Sequence, residues 1–340
     1  MTSRIPHEIG AADLRAHPVH AAWERLRMAP CPIAAIEVWR EMPTHQPASI
    51  YRLRLRNDEP FPVFAKRCDA VSGAVERMCY EDIVPRLGMA SPIYLGSVQE
   101  PDGTVWFFVE DVGREKLSPL DPMHRTLAAC WLARLHRMGA RVEAGRRLPD
   151  GGPRHYLRCL RESRARIERG LANPALNCEQ RELLGRIPTT LDRIEDCWDT
   201  IVRATARLPE TVVHGDFRPK NVRIRHAPSG PVLYALDWEL AGWGVPVADL
   251  APARKGIDQL PFDPLVYAAE VVGHGPRLDA AAIRQLSMVG CVMRRLAAME
   301  WESLSLHFED PACLSTPVSS LRSLQAQLTA VLERAPEWLE

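Results

Sequence analysis

The sequence predicts an α+β protein, with a small antiparallel sheet towards its start and a larger, mostly helical part after it. Three observations carry this. Between Cys31 and Lys66 the apolar residues gather in short Val- and Ile-rich segments (33–39, 50–55 and 62–65) separated by Pro- and Asn-Asp-containing turns. Beyond residue 120 the apolar spacing becomes helical, with Leu127, Trp131, Leu135 and Met138 on one stripe. Between the helical stretches, 222–225 and 232–236 flank the turn residues Ala227-Pro228-Ser229-Gly230, the pattern of a hairpin.

Taken in order, residues 11–29 read as one short helix or two, interrupted by Pro18. The three strand segments follow. A helix is expected over 72–86, then two more strands, 92–98 and 104–109, around Pro101-Asp102-Gly103. The stripe at 127–138 is core, with Gly139 as its stop and His136 as a structural histidine beside it. Residues 141–170 are rich in Arg but diluted by Glu143, Glu162 and Glu168, with no aromatic interleaving to stack bases. They read as a loop and a solvated helix. Helices are expected at 178–186 and 190–206, and through much of 262–340.

Composition excludes several classes. Lys+Arg and Asp+Glu are equal at 43 each, so no global field favours nucleic acid or an anionic membrane. Nine cysteines, an odd number without a C-x-x-C pair, argue against a disulfide framework and a zinc site. No apolar run approaches a membrane span, and the first residues lack the apolar core of a signal peptide. A cytoplasmic protein, monomeric or homodimeric, without nucleic-acid or membrane partners, is the expectation.

The chemistry concentrates in His214-Gly215-Asp216-Phe217-Arg218-Pro219-Lys220-Asn221 and Leu236-Asp237-Trp238-Glu239. The hairpin would set Asn221 and Asp237 side by side, with Asp216 just upstream. Phosphoryl transfer needs a carboxylate to orient the attacking hydroxyl and oxygen ligands to hold Mg²⁺ on the phosphates. Asp216 suits the first task, Asn221 and Asp237 the second.

HGDFRPKN, with LDWELAGWGVPVADLA after it, resembles the aminoglycoside phosphotransferase and choline kinase superfamily, small-molecule kinases of the protein-kinase-like fold. Gly215 stands where the protein-kinase H-R-D motif has Arg, and Asp237-Trp238-Glu239 stands for D-F-G. Both departures are typical of the small-molecule branch, and they count against a protein kinase. The resemblance implies two lobes: residues 1–110, nucleotide-binding, with an added N-terminal helical segment over 1–30, and residues 111–340, catalytic and acceptor-binding.

It also implies roles. Val63-Phe64-Ala65-Lys66 is similar to the strand-borne V-A-I-K lysine that holds the α- and β-phosphates, with Glu76 as its acidic partner and Glu81 as competitor. The phosphate-covering loop corresponds to Pro43–Ser49, which has no glycine; Ser49 and its backbone are assigned to phosphate. The main chain from Glu110 to Val112 corresponds to the hinge that reads the base. Asp249 and His214 support the catalytic loop. Arg218 is either a stabiliser of charge on the γ-phosphoryl oxygens or a surface arginine. Glu300, Trp301, Glu302, Glu309 and Asp310 are an acceptor-binding cluster or a charged helix end.

The expected activity is therefore transfer of the γ-phosphate of ATP or GTP, with Mg²⁺, to a hydroxyl of a small molecule. An antibiotic such as an aminoglycoside stands first, and a choline-like amino alcohol, a sugar or homoserine is the alternative. A regulatory pseudokinase is the rival from another class. The missing glycine loop favours it, and the intact Asp216, Asn221 and Asp237 oppose it.

Overall fold

The computed structural model describes residues 7–10, 13–26, 32–40, 48–56, 61–252 and 259–334. The stretch 43–47 of the expected phosphate-covering loop lies outside them. The chain divides into two compact units, the first formed by residues 1–116 and 221–240 and the second by 117–220 and 241–340. The sequence reading grouped the hairpin with the C-terminal lobe; its contacts group it with the first unit.

The first unit is built on an antiparallel six-stranded sheet. Its strands are β1 (His7–Glu8), β2 (Ile33–Arg40), β3 (Ala48–Leu55), β4 (Val63–Asp69), β5 (Tyr94–Gln99) and β6 (Thr104–Glu110), in spatial order β1-β2-β3-β4-β6-β5. Alternation along these strands puts Ile36, Leu53, Val63, Ala65, Trp106 and Phe108 on one buried face. Helix α1 (Pro18–Arg25) covers that face with Val19, Ala22 and Trp23, the indole meeting Phe108 edge-on at 5.2 Å. Pro18 was expected to interrupt a helix. It opens one instead, because its missing N–H falls among first-turn donors that have no intrahelical partner in any case.

On the other face, helix α2 (Ala70–Met78) begins at Asp69, whose carboxylate caps the amides of Val71 and Ser72. A Cβ at Gly73 would lie 2.4 Å from Val105, so glycine lets α2 sit hard against the sheet. A π-helical turn, Cys79–Ile83, leads into the short α3 (Val84–Leu87). The hairpin β8 (Val222–Ala227) and β9 (Gly230–Ala235) completes the unit, turning at Pro228-Ser229 with Val222 opposite Ala235.

The second unit contains α4 (Pro122–Gly139), α5 (Pro153–Gly170), α6 (Cys178–Gly185), α7 (Ile187–Asp196), α8 (Trp198–Thr205), α9 (Pro264–Glu270), α10 (Ala280–Ser303) and α11 (Pro311–Glu333). A small ladder joins β7 (Thr211–Val213) to β10 (Gly242–Gly244). The single helix expected over 190–206 is two, broken at Cys197. Helices α5, α7, α10 and α11 share one core that includes Leu160, Leu191, Met293 and Leu328. Among the described residues no helix is long and apolar enough to cross a membrane.

Helix α10 passes the 3₁₀ turn Pro246–Ala248 so closely that a Cβ at Gly290 would stand 1.9 Å from the Val247 carbonyl oxygen. Elsewhere in a helix Gly→Ala is favourable by about 1 kcal/mol. Here the overlap reverses the sign, and Gly290→Ala is expected to cost about 1–3 kcal/mol, as overpacking does. Urea denaturation decides it; a more stable variant would refute this packing.

Candidate active site

In the first unit, Lys66 stands mid-strand on β4, opposite Ile50 of β3 and Phe107 of β6. Its ammonium lies 2.8 Å from Glu76 on α2, 2.5 Å from Asp237 and 2.9 Å from Glu239. Glu76 is buried, whereas the competitor Glu81 faces Tyr94 and Arg77. Glu239 was not singled out from the sequence. Its position two residues after Asp237, in a 3₁₀ turn, brings both carboxylates to one lysine.

Burial opposes the charge on Lys66, but Glu76, Asp237 and Glu239 override it and hold the ammonium well above its ordinary range. Burial also raises the Glu76 carboxyl, against the pull of Lys66. Even with Glu76 drawn towards neutrality, two carboxylates face one ammonium. That excess of negative charge suits a cation.

Asp237 adopts φ 69°, the one described non-glycine residue with positive φ. This left-handed backbone is disfavoured for a side-chain-bearing residue, and such strain gathers at functional sites. The Leu236 amide donates to the Asn221 carbonyl at 2.8 Å, which seals the mouth of the hairpin and leaves Asp237 one residue beyond Asn221's backbone partner. Amide and carboxylate oxygens fit Mg²⁺, a hard cation that keeps several waters and takes one or two protein oxygens. Asn221 and Asp237 would hold it; Glu76, Asp237 and Glu239 also offer oxygens within 4.8 Å of one another.

The segment 110–112, expected to act as the hinge, is tied down from the hairpin. Arg225 on β8 pairs with Glu110 at 2.7 Å and donates to the carbonyls of Asp111 (3.1 Å) and Val112 (3.4 Å). The Glu110 and Asp111 amides donate to Ile93 and Pro62. Of the expected base-reading segment, the Val112 amide keeps no protein partner among the described residues, which leaves it available to a base edge. Ser49 lies half-buried on β3 opposite Arg67.

In the second unit, Asp216 is buried on the loop after β7. Arg218 reaches its carboxylate at 2.6 Å, Lys220 at 3.3 Å, and Arg294 from α10 pairs with it directly. Burial opposes ionisation of Asp216. Arg294, then Arg218 and Lys220, override that and hold the carboxyl well below the usual carboxylate range. Arg218 thus leans on the loop's own carboxylate. Arg294, 78 residues downstream, had no local signal in the sequence.

The loop is held from behind by Asp249, which accepts from the amides of His214 (2.7 Å) and Gly215 (2.8 Å). His136 lies 3.3 Å from the same carboxylate and 2.8 Å from the Tyr267 hydroxyl. Nδ1 of His214 accepts from the Asp216 amide at 3.3 Å, and Phe217 stacks on Trp131 at 5.3 Å. In the Glu300 cluster, Glu300 pairs with Arg166 at 2.6 Å and Asp310 caps α11, as a charged helix end does.

The model of the phosphotransferase enzyme family matches residues 69–284, well over half of the chain. The chain belongs to that family. Solved structures similar to it include a spectinomycin phosphotransferase with ADP and spectinomycin (TM-score 0.58, 11% identity, covering 89% of this chain and 94% of that one). A choline kinase from Cryptosporidium parvum is as similar (TM-score 0.58, 13% identity, 89% of each chain). A microcompartment-associated aminopropanol kinase follows (TM-score 0.55, 14% identity, 89% of this chain and 95% of that one).

These structures share the protein-kinase-like fold of this phosphotransferase, and at such identities the likeness speaks for fold alone. A chicken (Gallus gallus) protein, acyl-CoA dehydrogenase family member 11, is 50% identical over 46 residues, 14% of this chain. The matched stretch spans only 6% of that relative's length.

Proposed function

We propose that this phosphotransferase moves the γ-phosphoryl group of ATP or GTP to a hydroxyl of a small molecule. The observation that carries the reading is the reach of Lys66 to Asp237 and Glu76, residues 171 and 10 positions away, beside an Asp237 with positive φ. Such a lysine is matched to polyphosphate oxygens, and its carboxylate partners keep it charged and aimed.

In the step itself, the acceptor oxygen bonds to the γ-phosphorus as the bond to the β-phosphate oxygen breaks. The hydroxyl proton passes to Asp216 and the nucleoside diphosphate leaves with the electron pair. A carboxyl held so far below its usual range is a weak base. Its work is therefore to orient the hydroxyl and to take the proton late, when the acceptor oxygen has become acidic. Bound at Asn221 and Asp237, Mg²⁺ would supply charge neutralisation on the phosphates. Lys66 would hold the α- and β-phosphates, and the Val112 amide the base.

The family's neighbours act on antibiotics and on amino alcohols, so membership alone leaves the acceptor open, including the antibiotic expected from the sequence. The test is mass spectrometry after incubating the chain with Mg-ATP and a pooled set of hydroxyl compounds, alongside Lys66→Met. Wild type should yield a phosphorylated product and ADP. Lys66→Met should be slower by on the order of 10²–10³-fold, the usual loss of one preorganised electrostatic contact. Equal rates in the two proteins would overturn the assignment.

A further inference from the structure

Behind the catalytic loop, the hydrogen bonds of Asp249 and His136 run on to Tyr267, a residue of α9. Helix α9 is pinned to α4 at both ends. The Asp263 amide donates to the Arg125 carbonyl at 3.0 Å, and Arg137 donates to the Glu270 carbonyl at 2.9 Å. Between these ties Tyr267 turns inward, 2% exposed, its ring edge-on to His136 and beside Phe262.

Proton accounting fixes the direction of each bond, because a buried hydroxyl and a buried imidazole both need partners. Burial opposes the charge on Asp249, but the hydrogen bond from His136 and the His214 amide override it and hold the carboxyl below its ordinary range. An ionised carboxylate only accepts, so Nε2 of His136, 3.3 Å away, carries a proton. The Tyr267 hydroxyl lies 2.8 Å from Nδ1, its one side-chain partner among the described residues. Its proton therefore points at Nδ1, which must be bare. Burial pushes the Tyr267 phenol up, so that proton stays in place at any assay pH. His136 is thus held as the neutral tautomer protonated on Nε2.

Asp249 passes this order to the loop. The oxygen that faces His136 also accepts the His214 amide, and the other accepts the Gly215 amide. Gly215 stands at φ 72°, directly before Asp216, so the set of the Asp249 carboxylate governs where the chain delivers Asp216. The His136 backbone is fixed separately, its carbonyl accepting from the Thr211 hydroxyl of β7 at 2.8 Å. What remains for Tyr267 to set is the tautomer of the ring.

We propose that Tyr267 is a positioning residue for phosphoryl transfer: by fixing the tautomer of His136 it holds Asp249 in the orientation that aims Asp216 at the acceptor. This rests on the phosphotransfer reading for what the loop does. Without the hydroxyl, Nδ1 has no donor. The ring proton is then free to move there, which turns a lone pair towards the Asp249 carboxylate.

The first test needs no variant. Nitrogen-15 NMR of the His136 ring in the full chain, assigned through bonds to its own amide, should find the proton on Nε2 alone. A proton on Nδ1, in the other tautomer or in an imidazolium, overturns the inference. Tyr267→Phe keeps the ring and its contact with Phe262, and urea unfolding checks that it is folded under the assay conditions. In it the His214 and Gly215 amides should exchange with solvent about tenfold faster, and ADP release from Mg-ATP, with water as acceptor, should lose about tenfold in kcat at unchanged KM for ATP, the worth of one buried hydrogen bond left unmade.

Because the hydroxyl acts through the ring, adding Tyr267→Phe to His136→Gln should cost nothing further. Losses that multiply overturn the inference, as do exchange and kcat equal to wild type. Should Tyr267→Phe not fold, the wild-type tautomer decides. A wild type that releases no ADP tells instead against the phosphotransfer reading. Amide exchange then decides the positioning: faster exchange in Tyr267→Phe upholds it, and unchanged exchange overturns it.

Discussion

Asp216→Asn is expected to slow transfer by about 10²–10⁴-fold, the range for a positioned proton acceptor. The substitution keeps the shape and one acceptor oxygen but removes the charge that draws the hydroxyl proton. Lys66, Asp237 and the Val112 amide are untouched by it, so Mg-ATP affinity measured by calorimetry should persist. Turnover equal to wild type would remove Asp216 from the reaction.

The pH dependence follows from the same environment. Because Asp216 is held below the ordinary carboxylate range of about 4, it stays ionised wherever the protein is assayed, and it contributes no acid limb to kcat/KM above that range. Its depressed pKa stabilises the fold above the unfolded carboxyl range, and that contribution is lost as pH falls through the folded value. Asp216→Asn should flatten this acid loss of stability.

The second large effect is structural. Asp249→Ala removes a buried carboxylate that satisfies two loop amides and lies against His136. Each orphaned buried donor costs about 1–3 kcal/mol, so a total loss of about 3–5 kcal/mol is expected from urea unfolding. The loop loses its brace as well. Gly215 sits at φ 72° and Asp216 directly follows it, so activity should fall further than the loss of folded protein explains. A loss of stability under about 1 kcal/mol would mean that water replaces the carboxylate without penalty.

Much of this was legible because it is local. The hairpin announced itself through alternation and turn residues. Lys66 and Glu76 were matched through the resemblance, and they meet across a separation of only ten residues, one turn from strand into helix. Pro18 was misread because a proline in a helical pattern marks either a break or a beginning, and only the core contacts of Trp23 decide which.

What the sequence concealed is what tertiary contact creates. Arg294 reads as one basic residue in a helix until packing of α10 delivers it to Asp216. Glu239 looks like a turn residue, and Arg225 like a strand residue facing water. In each case the partner is more than 70 residues distant, and no periodicity or spacing encodes such a meeting.

The clamp from Arg225 to the hinge has a consequence for how the first unit answers its ligand. Arg225 stands on the strand that begins one residue after Asn221, and it grips carbonyls on either side of the Val112 amide. On the proposed reading, the part that senses the base and the part that faces the phosphates are thus a single mechanical element. Whatever orders one orders the other, and by reciprocity a cation settling at the hairpin sharpens the hinge for its base as much as the base sharpens the hairpin for the cation.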